Sequence, residues 1–463
     1  MIDKFYHSVH IEEDLCKGCI NCIKRCPTEA IRVHDGKAHI NAKFCIDCAE
    51  CIRICPHHAK QATFNSLEEA KQRKYNIVLV PPSLYGQFNN LDDINIVLNG
   101  LLSMGFDEAV EVSAAAEVIS EATRNYIEEH PEGVPFISTA CPTILRLVRV
   151  RFPNLLSHLL PFKSPVELAA DVAVKRAMLK TGLAREDIGV TFIAPCPSKV
   201  SYAKAPLGVD KSEIDYCVAV RDAYTLLISH MKAVDIINMP DLVRSGKIGL
   251  GWARSGGEAT ATLRDDYLAA DGITNCIRVL EDLEDEKFSD LSFIELDACD
   301  GGCVGGVLTV ENPYVALAKI KKLYKYMPVS IAHNVSASDK EACLTDSIEY
   351  EPVFNLGVNM KESLAKMNQV ERLSKKLPGL DCGSCGAPTC KALAEDIVKG
   401  EASETDCVYN LRQNLHKISE EVNMLSGEMA GASDIERLAI MQQYMLRISE
   451  EMIELDKGEG EKQ

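Results

Sequence analysis

Between about residue 74 and residue 152, short apolar runs alternate with longer segments whose apolar positions recur at helical spacing. The runs YNIVLVPPSL (75–84) and VPFISTA (134–140) have the pattern of buried strands. The segments NIVLNGLLSMGF (95–106) and TILRLVRVRF (143–152) have the pattern of amphipathic helices. This alternation predicts an α/β domain with parallel sheets and flanking helices, whose sites gather at the carboxyl ends of the strands.

The composition is typical of a globular protein that binds neither nucleic acid nor a membrane. Of 463 residues, 46% are hydrophobic and 25% are charged, which allows several domains and at least one large core. The formal net charge of -18 opposes phosphate backbones and anionic headgroups. The start, MIDKFYHSVH, lacks a secretion signal, and no later stretch approaches about 18 uncharged apolar residues. We therefore expect a cytoplasmic protein.

The 19 cysteines are better interpreted as metal ligands than as disulfides, because cytosolic thiols stay reduced. Two runs, CKGCINCIKRCP (16–27) and CIDCAECIRICP (45–56), match C-x2-C-x2-C-x3-C-P, in which three thiolates hold one 4Fe-4S cluster and the fourth reaches the neighbouring cluster. Because the fourth cysteine of each run ligates the other cluster, one predicted cluster is bound by Cys16, Cys19, Cys22 and Cys55, and the other is bound by Cys45, Cys48, Cys51 and Cys26. Zinc is the alternative, but it needs only CxxC pairs. Residues 1–65 resemble a bacterial two-cluster ferredoxin, which implies one-electron transfer.

Three further stretches place cysteines where a predicted strand meets a loop: VPFISTACP (134–142), GVTFIAPCPSK (189–199) and LSFIELDACDGGCVGG (291–306). They supply four thiols, the number that a cubane cluster requires, although spacing alone does not show that the thiols converge. The four are Cys141, Cys196, Cys299 and Cys303. Glycines in the third stretch let the backbone approach a bulky group. The isolated thiols are expected in the core, and these are Cys217, Cys276 and Cys343.

The three stretches resemble the signature loops of the iron-iron (FeFe) hydrogenases, and the resemblance covers roughly residues 75–360. It implies an H-cluster, in which the same four cysteines hold a 4Fe-4S cluster and Cys303 bridges to a two-iron subsite with carbon monoxide, cyanide and a bridging dithiolate. Lys199 would donate a charge-assisted hydrogen bond to one cyanide, and Gly302 and Gly305 would contact the cofactor. The implied reaction is reversible cleavage of dihydrogen into protons and electrons, which leave through the ferredoxin clusters.

The chain departs from the family motif TSCCP, because Ala140 stands where catalytic members have a proton-relaying cysteine. Ala194 and Asp297 replace methionines of the other two loops. Burial would raise the pKa of Asp297 and suit it to shuttling protons, but a solvated or backbone-bonded aspartate is an equally good interpretation. Further relay candidates, ranked lower, are Glu111, Glu117 and Glu295. A complete ligand set without the relay thiol predicts slow turnover, which suits detection of dihydrogen.

A fourth cysteine set, CGSCGAPTCKALAEDIVKGEASETDC (382–407), has the spacing C-x2-C-x4-C-x16-C. It resembles the small 4Fe-4S domain of corrinoid iron-sulfur proteins and sensor modules, with zinc as the alternative, and its predicted ligands are Cys382, Cys385, Cys390 and Cys407. Residues 411–463 predict two helices with heptad seams, which either pack on their own domain or form a homodimer or partner contact. The first seam is Leu411, Leu415, Ile418, Val422 and Leu425, and the second is Leu438, Met441, Met445, Ile448, Met452 and Leu455.

We therefore expect a sensory FeFe hydrogenase. Its parts are an α+β ferredoxin-like domain (1–65), an α/β H-cluster domain (74–360), a small α-helical 4Fe-4S domain (375–410) and a helical tail (411–463). It would exchange electrons with a redox partner protein or ferredoxin and report to a signalling partner. Two alternatives remain open. One is a metabolic ferredoxin-linked hydrogenase with another proton path, and the other is a non-catalytic iron-sulfur assembly or electron-transfer protein without the two-iron subsite.

Overall fold

The computed structural model describes residues 6–331, 339–353, 356–430, 433–444 and 446. The chain divides into two compact units, Met1–Asn355 and Leu356–Gln463. The first unit contains a ferredoxin-like segment and an α/β body with parallel sheets, and the described part of the second is helical. The predicted α/β fold class with parallel sheets and flanking helices is confirmed. No helix among the described residues is long and apolar enough to cross a membrane.

The ferredoxin-like segment combines two antiparallel strand pairs with two short helices. Its elements are β1 (Val9–Ile11), α1 (Asn21–Arg25), β2 (Ile31–His34), β3 (Lys37–Ile40), α2 (Glu50–Ile54) and β4 (Lys60–Ala62). β1 pairs with β4, and β2 pairs with β3 across a turn in which Asp35 and Gly36 both have positive φ, as a type I′ turn requires. Cysteines and a few aliphatic side chains form its core.

Two parallel sheets form the centre of the α/β body. Its strands are β5 (Tyr75–Val80), β6 (Glu108–Glu111), β7 (Phe136–Ile137), β8 (Ile188–Ala194), β9 (Tyr216–Ala219), β10 (Tyr267–Asp271) and β11 (Phe293–Asp297). One sheet has the order β6-β5-β8-β9 and the other has the order β10-β11-β7. Every residue of β8 is buried, because helices cover both faces of a parallel sheet.

Helices connect and cover these strands. They are α3 (Pro82–Tyr85), α4 (Asn95–Ser103), α5 (Val112–Glu129), α6 (Pro142–Arg151), α7 (Pro165–Thr181), α8 (Pro197–Lys204), α9 (Val220–Lys232), α10 (Lys247–Gly251), α11 (Gly257–Ala261), α12 (Ile273–Glu284), α13 (Pro313–Tyr324) and α14 (Asp339–Ala342). Several begin with proline, whose fixed φ suits the first helical position.

The second unit consists of α15 (Met360–Lys376), α16 (Cys390–Lys399) and α17 (Val408–Met429), followed by helical residues 434–444. The side chain of Thr389 caps α16 and Gly400, with a φ of 79°, ends it. Apolar residues of the first predicted seam are exposed along α17, for example Leu415 at 58% and Val422 at 58%. Four residues of the second seam lie outside the described residues, namely Met445, Ile448, Met452 and Leu455.

Candidate functional site

Three loops at the carboxyl ends of strands bring cysteines together in the α/β body. Cys141 follows β7, Cys196 follows β8, and Cys299 and Cys303 follow β11. Burial is the largest cause that raises the pKa of Cys299, and the thiols of Cys196, Cys141 and Cys303 act on it in the same direction. The structure therefore collects these four thiols at one place, which the sequence alone did not establish.

Two of these cysteines occupy helix N-caps. Cys141 precedes α6 and Cys196 precedes α8, each directly before a proline. Burial raises the pKa of both thiols, while the backbone amide of Ile144 acts to lower that of Cys141 and the amide of Lys199 acts to lower that of Cys196. The partial positive charge of a helix N-terminus acts in the same direction as these amides and favours the thiolate, which is the form that binds iron.

Glycines allow the third loop to cross its neighbours. A Cβ on Gly302, whose φ is 88°, would lie 2.4 Å from the backbone nitrogen of Ser255. A Cβ on Gly305 would lie 2.0 Å from the carbonyl oxygen of Asp300. Gly302 therefore permits a close approach to another backbone segment, and Gly305 permits the loop to fold back on itself, roles that could not be predicted from the sequence. Contact of Gly302 and Gly305 with a cofactor stays a prediction.

A mainly apolar cavity of about 60 Å³ adjoins two of the four thiols, those of Cys141 and Cys303. Its polar lining consists of Ser83, Cys141, Lys199, Glu258, Glu295, Asp297 and Cys303. Its apolar lining includes Val112, Ala140, Val166, Phe192 and Trp252. Thiolates beside a mainly apolar cavity that contains one cation are suited to a cubane cluster that carries a further anionic group, and the residues fit the predicted H-cluster in this respect.

The positive charge in this cavity is the ammonium group of Lys199. Its Nζ donates a hydrogen bond to the carbonyl oxygen of Ala140 at 3.3 Å. Burial acts to lower the pKa of Lys199, but the thiols of Cys303, Cys196 and Cys141 outweigh it, so the pKa is raised. The side chain is therefore charged at the position where the family resemblance implies a cyanide ligand.

Three carboxyl groups face the same cavity. Burial raises the pKa of Glu258 to about 8 and that of Asp297 to about 6, and it raises the pKa of Glu295 well above its usual range. Glu295 is hydrogen-bonded to Asp297 and accepts hydrogen bonds from the amides of Gly256 at 2.9 Å and Ala259 at 2.6 Å. Asp297 thus lines the cavity and contacts another carboxyl group, in contrast to the solvated alternative.

Sequence reasoning missed Glu258, which is connected to the Cys141 loop. Ser138 Oγ donates to Glu258 Oε2 at 2.6 Å, and the amide of Ala140 donates to Ser138 Oγ at 3.1 Å. Ala140 itself presents only a methyl group to the cavity. No motif marks Glu258, because its partner Ser138 lies 120 residues away in the chain.

The lower-ranked relay candidates Glu111 and Glu117 instead bind neighbouring loops. Glu111 accepts hydrogen bonds from Ser245 Oγ at 2.8 Å and from the amide of Arg244 at 2.5 Å. Glu117 accepts hydrogen bonds from the amides of Gly246 at 2.5 Å and Ile331 at 2.9 Å. Both carboxyl groups therefore satisfy buried donors, and neither lines the cavity as Glu295 does.

The ferredoxin-like segment groups its cysteines in two sets. A small cavity of about 20 Å³ has Cys26, Cys45, Cys48 and Cys51 in its lining. The neighbouring thiols that raise the pKa of Cys22, after burial itself, belong to Cys19, Cys16 and Cys55. Each set combines thiols of both sequence motifs, as the exchange of the fourth ligand requires. Ligation of clusters by these sets stays a prediction.

The set that contains Cys48 lies close to the α/β body. Cys48 and Ile46 pack in the same apolar cluster as Cys141. Arg53 donates a hydrogen bond to the carbonyl oxygen of Gly305 at 3.0 Å. The segment is therefore in contact with two of the loops that carry the central thiols.

The second unit has a small cavity of its own that is lined by cysteines, with a volume of about 20 Å³. Its lining includes Cys382, Cys385, Cys390 and Cys407. The last two stand at helix starts, Cys390 in α16 and Cys407 at the N-cap of α17. Among the cysteines expected in the core, Cys217 and Cys276 are fully buried, as predicted, and Cys343 is half-buried.

Comparison with known proteins gives matches in each of these regions. The family model described as "Iron only hydrogenase large subunit, C-terminal domain" matches residues 74–267 and 259–307. A 4Fe-4S dicluster domain model matches residues 8–56, and a model of an iron-sulfur cluster domain matches residues 377–409. These models support 4Fe-4S clusters and the H-cluster as the cofactors of the chain.

The individual relatives either have low sequence identity to this chain or match only a short part of it. Iron hydrogenase 1 of Clostridium pasteurianum is 23% identical over 314 residues, covering 56% of this chain and 54% of its own. The HndD component of an NADP-reducing hydrogenase from Solidesulfovibrio fructosivorans is 22% identical over 257 residues, covering 44% of each chain. A component of an ion-translocating oxidoreductase complex from Rhodobacter capsulatus is 40% identical over 62 residues, which are 13% of this chain and 33% of that protein. The chain thus spans about half or less of the length of these curated relatives.

A solved structure of FeFe-hydrogenase HydA1 from Chlamydomonas reinhardtii matches with a TM-score of 0.47 and 15% identity, over 62% of this chain and 97% of that one. The family model, by contrast, covers half of the present sequence, including all four central cysteines. The chain therefore belongs to the iron-only hydrogenase family, and it contains the domain that forms the carboxyl-terminal part of the large subunit in that family.

Proposed function

We propose that the protein is a sensory FeFe hydrogenase, which cleaves dihydrogen reversibly at low turnover and passes electrons through 4Fe-4S clusters to a signalling partner. The observation that carries this proposal is Ala140, whose methyl group lines the cavity beside Cys141 and Lys199. A positioned proton-transfer group contributes roughly 10²–10⁴-fold to a rate. The lack of such a group at residue 140 therefore supports slow turnover.

In this proposal the chain supplies ligation, charge and exclusion of water, while the H-cluster supplies the chemistry of dihydrogen cleavage when it is bound. The ligands of its cubane are Cys141, Cys196, Cys299 and Cys303. Lys199 compensates the negative charge of the two-iron subsite, with its carbon monoxide, cyanide and dithiolate ligands. The apolar walls of the cavity keep bulk water away, which strengthens the interaction with Lys199.

Electrons would leave through the ferredoxin-like segment. The set that contains Cys48 packs near Cys141, so a cluster held by that set would be the first to exchange electrons with the central site. The set that contains Cys22 then follows, and a redox partner protein or ferredoxin accepts the electron. The proposal includes a cytoplasmic location, where thiols stay reduced.

The second unit would report to the partner. Its four cysteines are proposed to bind a further 4Fe-4S cluster, directly before α17. Exposed apolar residues along α17, among them Leu415, Ile418 and Val422, provide a surface for a signalling protein or for a second copy in a homodimer.

A metabolic hydrogenase with another proton path is the second candidate, and a specific observation favours it. Glu258 lines the cavity, receives a hydrogen bond from Ser138 Oγ at 2.6 Å and, with its pKa raised to about 8 by burial, can hold or release a proton near neutral pH. Asp297 and Glu295 extend the set of proton-carrying groups. If these groups conduct protons efficiently, the methyl group of Ala140 does not limit turnover.

Infrared spectroscopy of the matured protein tests the cofactor. We expect bands from bound carbon monoxide and cyanide. A protein that has undergone maturation and contains iron but lacks these bands would instead be an iron-sulfur electron-transfer or assembly protein.

Turnover measurements separate the two hydrogenase candidates. We expect Ala140→Cys to raise the rate of hydrogen evolution by roughly tenfold or more, because it adds a proton-carrying thiol. Ala140→Ser is the matched control, since its hydroxyl group is similar in size but a poor proton carrier near neutral pH. No gain from Ala140→Cys, together with a large loss in Glu258→Gln, would replace the sensory proposal by the metabolic one.

A further inference from the structure

The two cysteine motifs are followed by equivalent segments that differ at one buried position. The first continues as CPTEAI (26–31) and the second as CPHHAK (55–60), so Lys60 takes the place of Ile31 in the repeat. Both residues begin a strand, and both are only 2% exposed. A lysine therefore occupies a core position that the other half of the same repeat fills with an aliphatic side chain.

The charged end of Lys60 is inside the ferredoxin-like segment. β4, which begins with Lys60, pairs with β1 at Ile11, and Ala59 packs in the core with the cysteines. The Nζ atom is inaccessible to solvent, and among the residues that the structure describes no group accepts a hydrogen bond from it. The buried carboxylate of this segment, Asp47, instead pairs with Arg146 at 3.0 Å.

A buried ammonium group without an anionic partner is costly, typically by several kcal/mol. Lysines in protein cores are rare for this reason, and those that occur are paired with negative groups. The position of Lys60 therefore implies an anion in the core of this segment that is not one of its carboxylates.

The thiols around Lys60 indicate which anion this is. Ala59, the residue directly before Lys60, packs in the same buried cluster as Cys16, Cys22 and Cys51. The charge of Lys60 acts on all three of these sulfur atoms. Cys16 and Cys22 belong to one predicted ligand set and Cys51 belongs to the other. Lys60 thus acts on both sets at once.

We propose that the ammonium group of Lys60 is the internal counter-charge of both ferredoxin clusters and donates hydrogen bonds to their sulfur atoms. A cluster becomes more negative by one charge when it takes up an electron, so a fixed cation beside it stabilises the reduced form and raises the reduction potential. This inference rests on cluster binding by the ferredoxin-like segment, as proposed above, but it does not depend on dihydrogen chemistry.

Lys60 would give the ferredoxin-like segment a second property besides electron transfer. With Lys60 in place, electrons released at the central site are held longer on the ferredoxin clusters than they would be beside an aliphatic residue. Such retention suits a protein that reports its redox state to a partner, because the reduced form persists long enough to be recognised.

The test is a reductive titration of the full-length, cluster-loaded protein, followed by electron paramagnetic resonance. Lys60→Met and Lys60→Ile remove the charge, and the second restores the residue type found at Ile31. We expect at least a tenfold fall in the equilibrium constant for one-electron reduction of the ferredoxin clusters, which corresponds to about 59 mV. Lys24→Met, which removes an exposed lysine of α1, is the matched control and should leave the potentials within a small fraction of that shift.

Iron content and the resonance signals show whether each variant holds its clusters. Lys60→Arg keeps the charge, so it should stay near the wild-type potentials even if the uncharged variants do not fold. Loaded clusters whose potentials do not move in Lys60→Met, or potentials that fall equally in Lys60→Arg and Lys60→Met, would overturn the assignment. Wild-type protein without ferredoxin clusters would refute the proposed function instead.

Discussion

The buried carboxyl group of Glu167 should make stability depend on pH. Glu167 lies on α7 directly after Pro165 and Val166 of the cavity wall, and it is 1% exposed. Ser212 Oγ and the amide of Glu213 donate hydrogen bonds to it at 2.9 and 3.2 Å. These donors do not offset burial, which raises its pKa from 4.5 to about 7, with Asp171 acting in the same direction. The folded protein therefore keeps this group protonated up to about pH 7, whereas the unfolded chain loses the proton above pH 4.5.

The sign and size of the effect follow from this shift. Below pH 4.5 the group is protonated in both the folded and the unfolded chain, and its contribution to stability is fully present. Between pH 4.5 and about 7 only the unfolded chain loses the proton, so stability falls as pH rises. A pKa difference of one unit corresponds to 1.36 kcal/mol of unfolding free energy. The difference between the pKa of 4.5 in the unfolded chain and about 7 in the folded protein therefore amounts to about 3 kcal/mol.

Glu167→Gln removes this dependence, because an amide stays neutral while the hydroxyl of Ser212 can turn to accept its hydrogen bond. Apparent melting temperatures of the anaerobic, cluster-loaded protein, compared at about pH 5 and about pH 8, measure the effect. We expect the variant to gain stability relative to wild type at the higher pH, by about 3 kcal/mol. Glu121→Gln, at an exposed position on α5, is the control. A wild-type-to-variant difference that is the same at both pH values would refute the reasoning.

Three further predictions concern stability and metal content. Arg146→Met should cost about 3 kcal/mol in thermal unfolding, because it removes the guanidinium partner of the buried carboxylate of Asp47 and leaves only the imidazole of His7 beside it, and adding Asp47→Asn should recover part of the loss. Gly257→Ala should destabilise the protein in the same assay, since its Cβ would lie 1.9 Å from a backbone carbonyl oxygen, whereas Gly427→Ala on α17 meets nothing within 4 Å and should stabilise it by up to about 1 kcal/mol. Cys390→Ser should lower the iron content of purified protein by one cluster, and a loss of zinc instead would indicate a zinc site.

Local patterns were sufficient for the elements that carry the site. The apolar run at 188–194 forms β8, and every residue of this strand is buried. The proline after Cys141 is the first residue of α6. Contacts between distant segments could not be predicted in this way. Glu258 is connected to Ser138 only through the fold, and the core position of Lys60 became significant only once its Nζ was found buried without an acceptor.

The glycines of the third loop explain how the central site is held in place. The interpretation from sequence was that DGGCVGG leaves room for a cofactor, but Gly306 approaches the carbonyl oxygen of Pro195, where a Cβ would lie only 2.2 Å away. Gly302 approaches the chain at Ser255 in the same manner. The loop that carries Cys303 is therefore packed directly against the loop that carries Cys196. Because such contacts fix the backbone on both sides, the thiols are preorganised by the protein itself, and binding of a cluster requires little additional ordering of the chain.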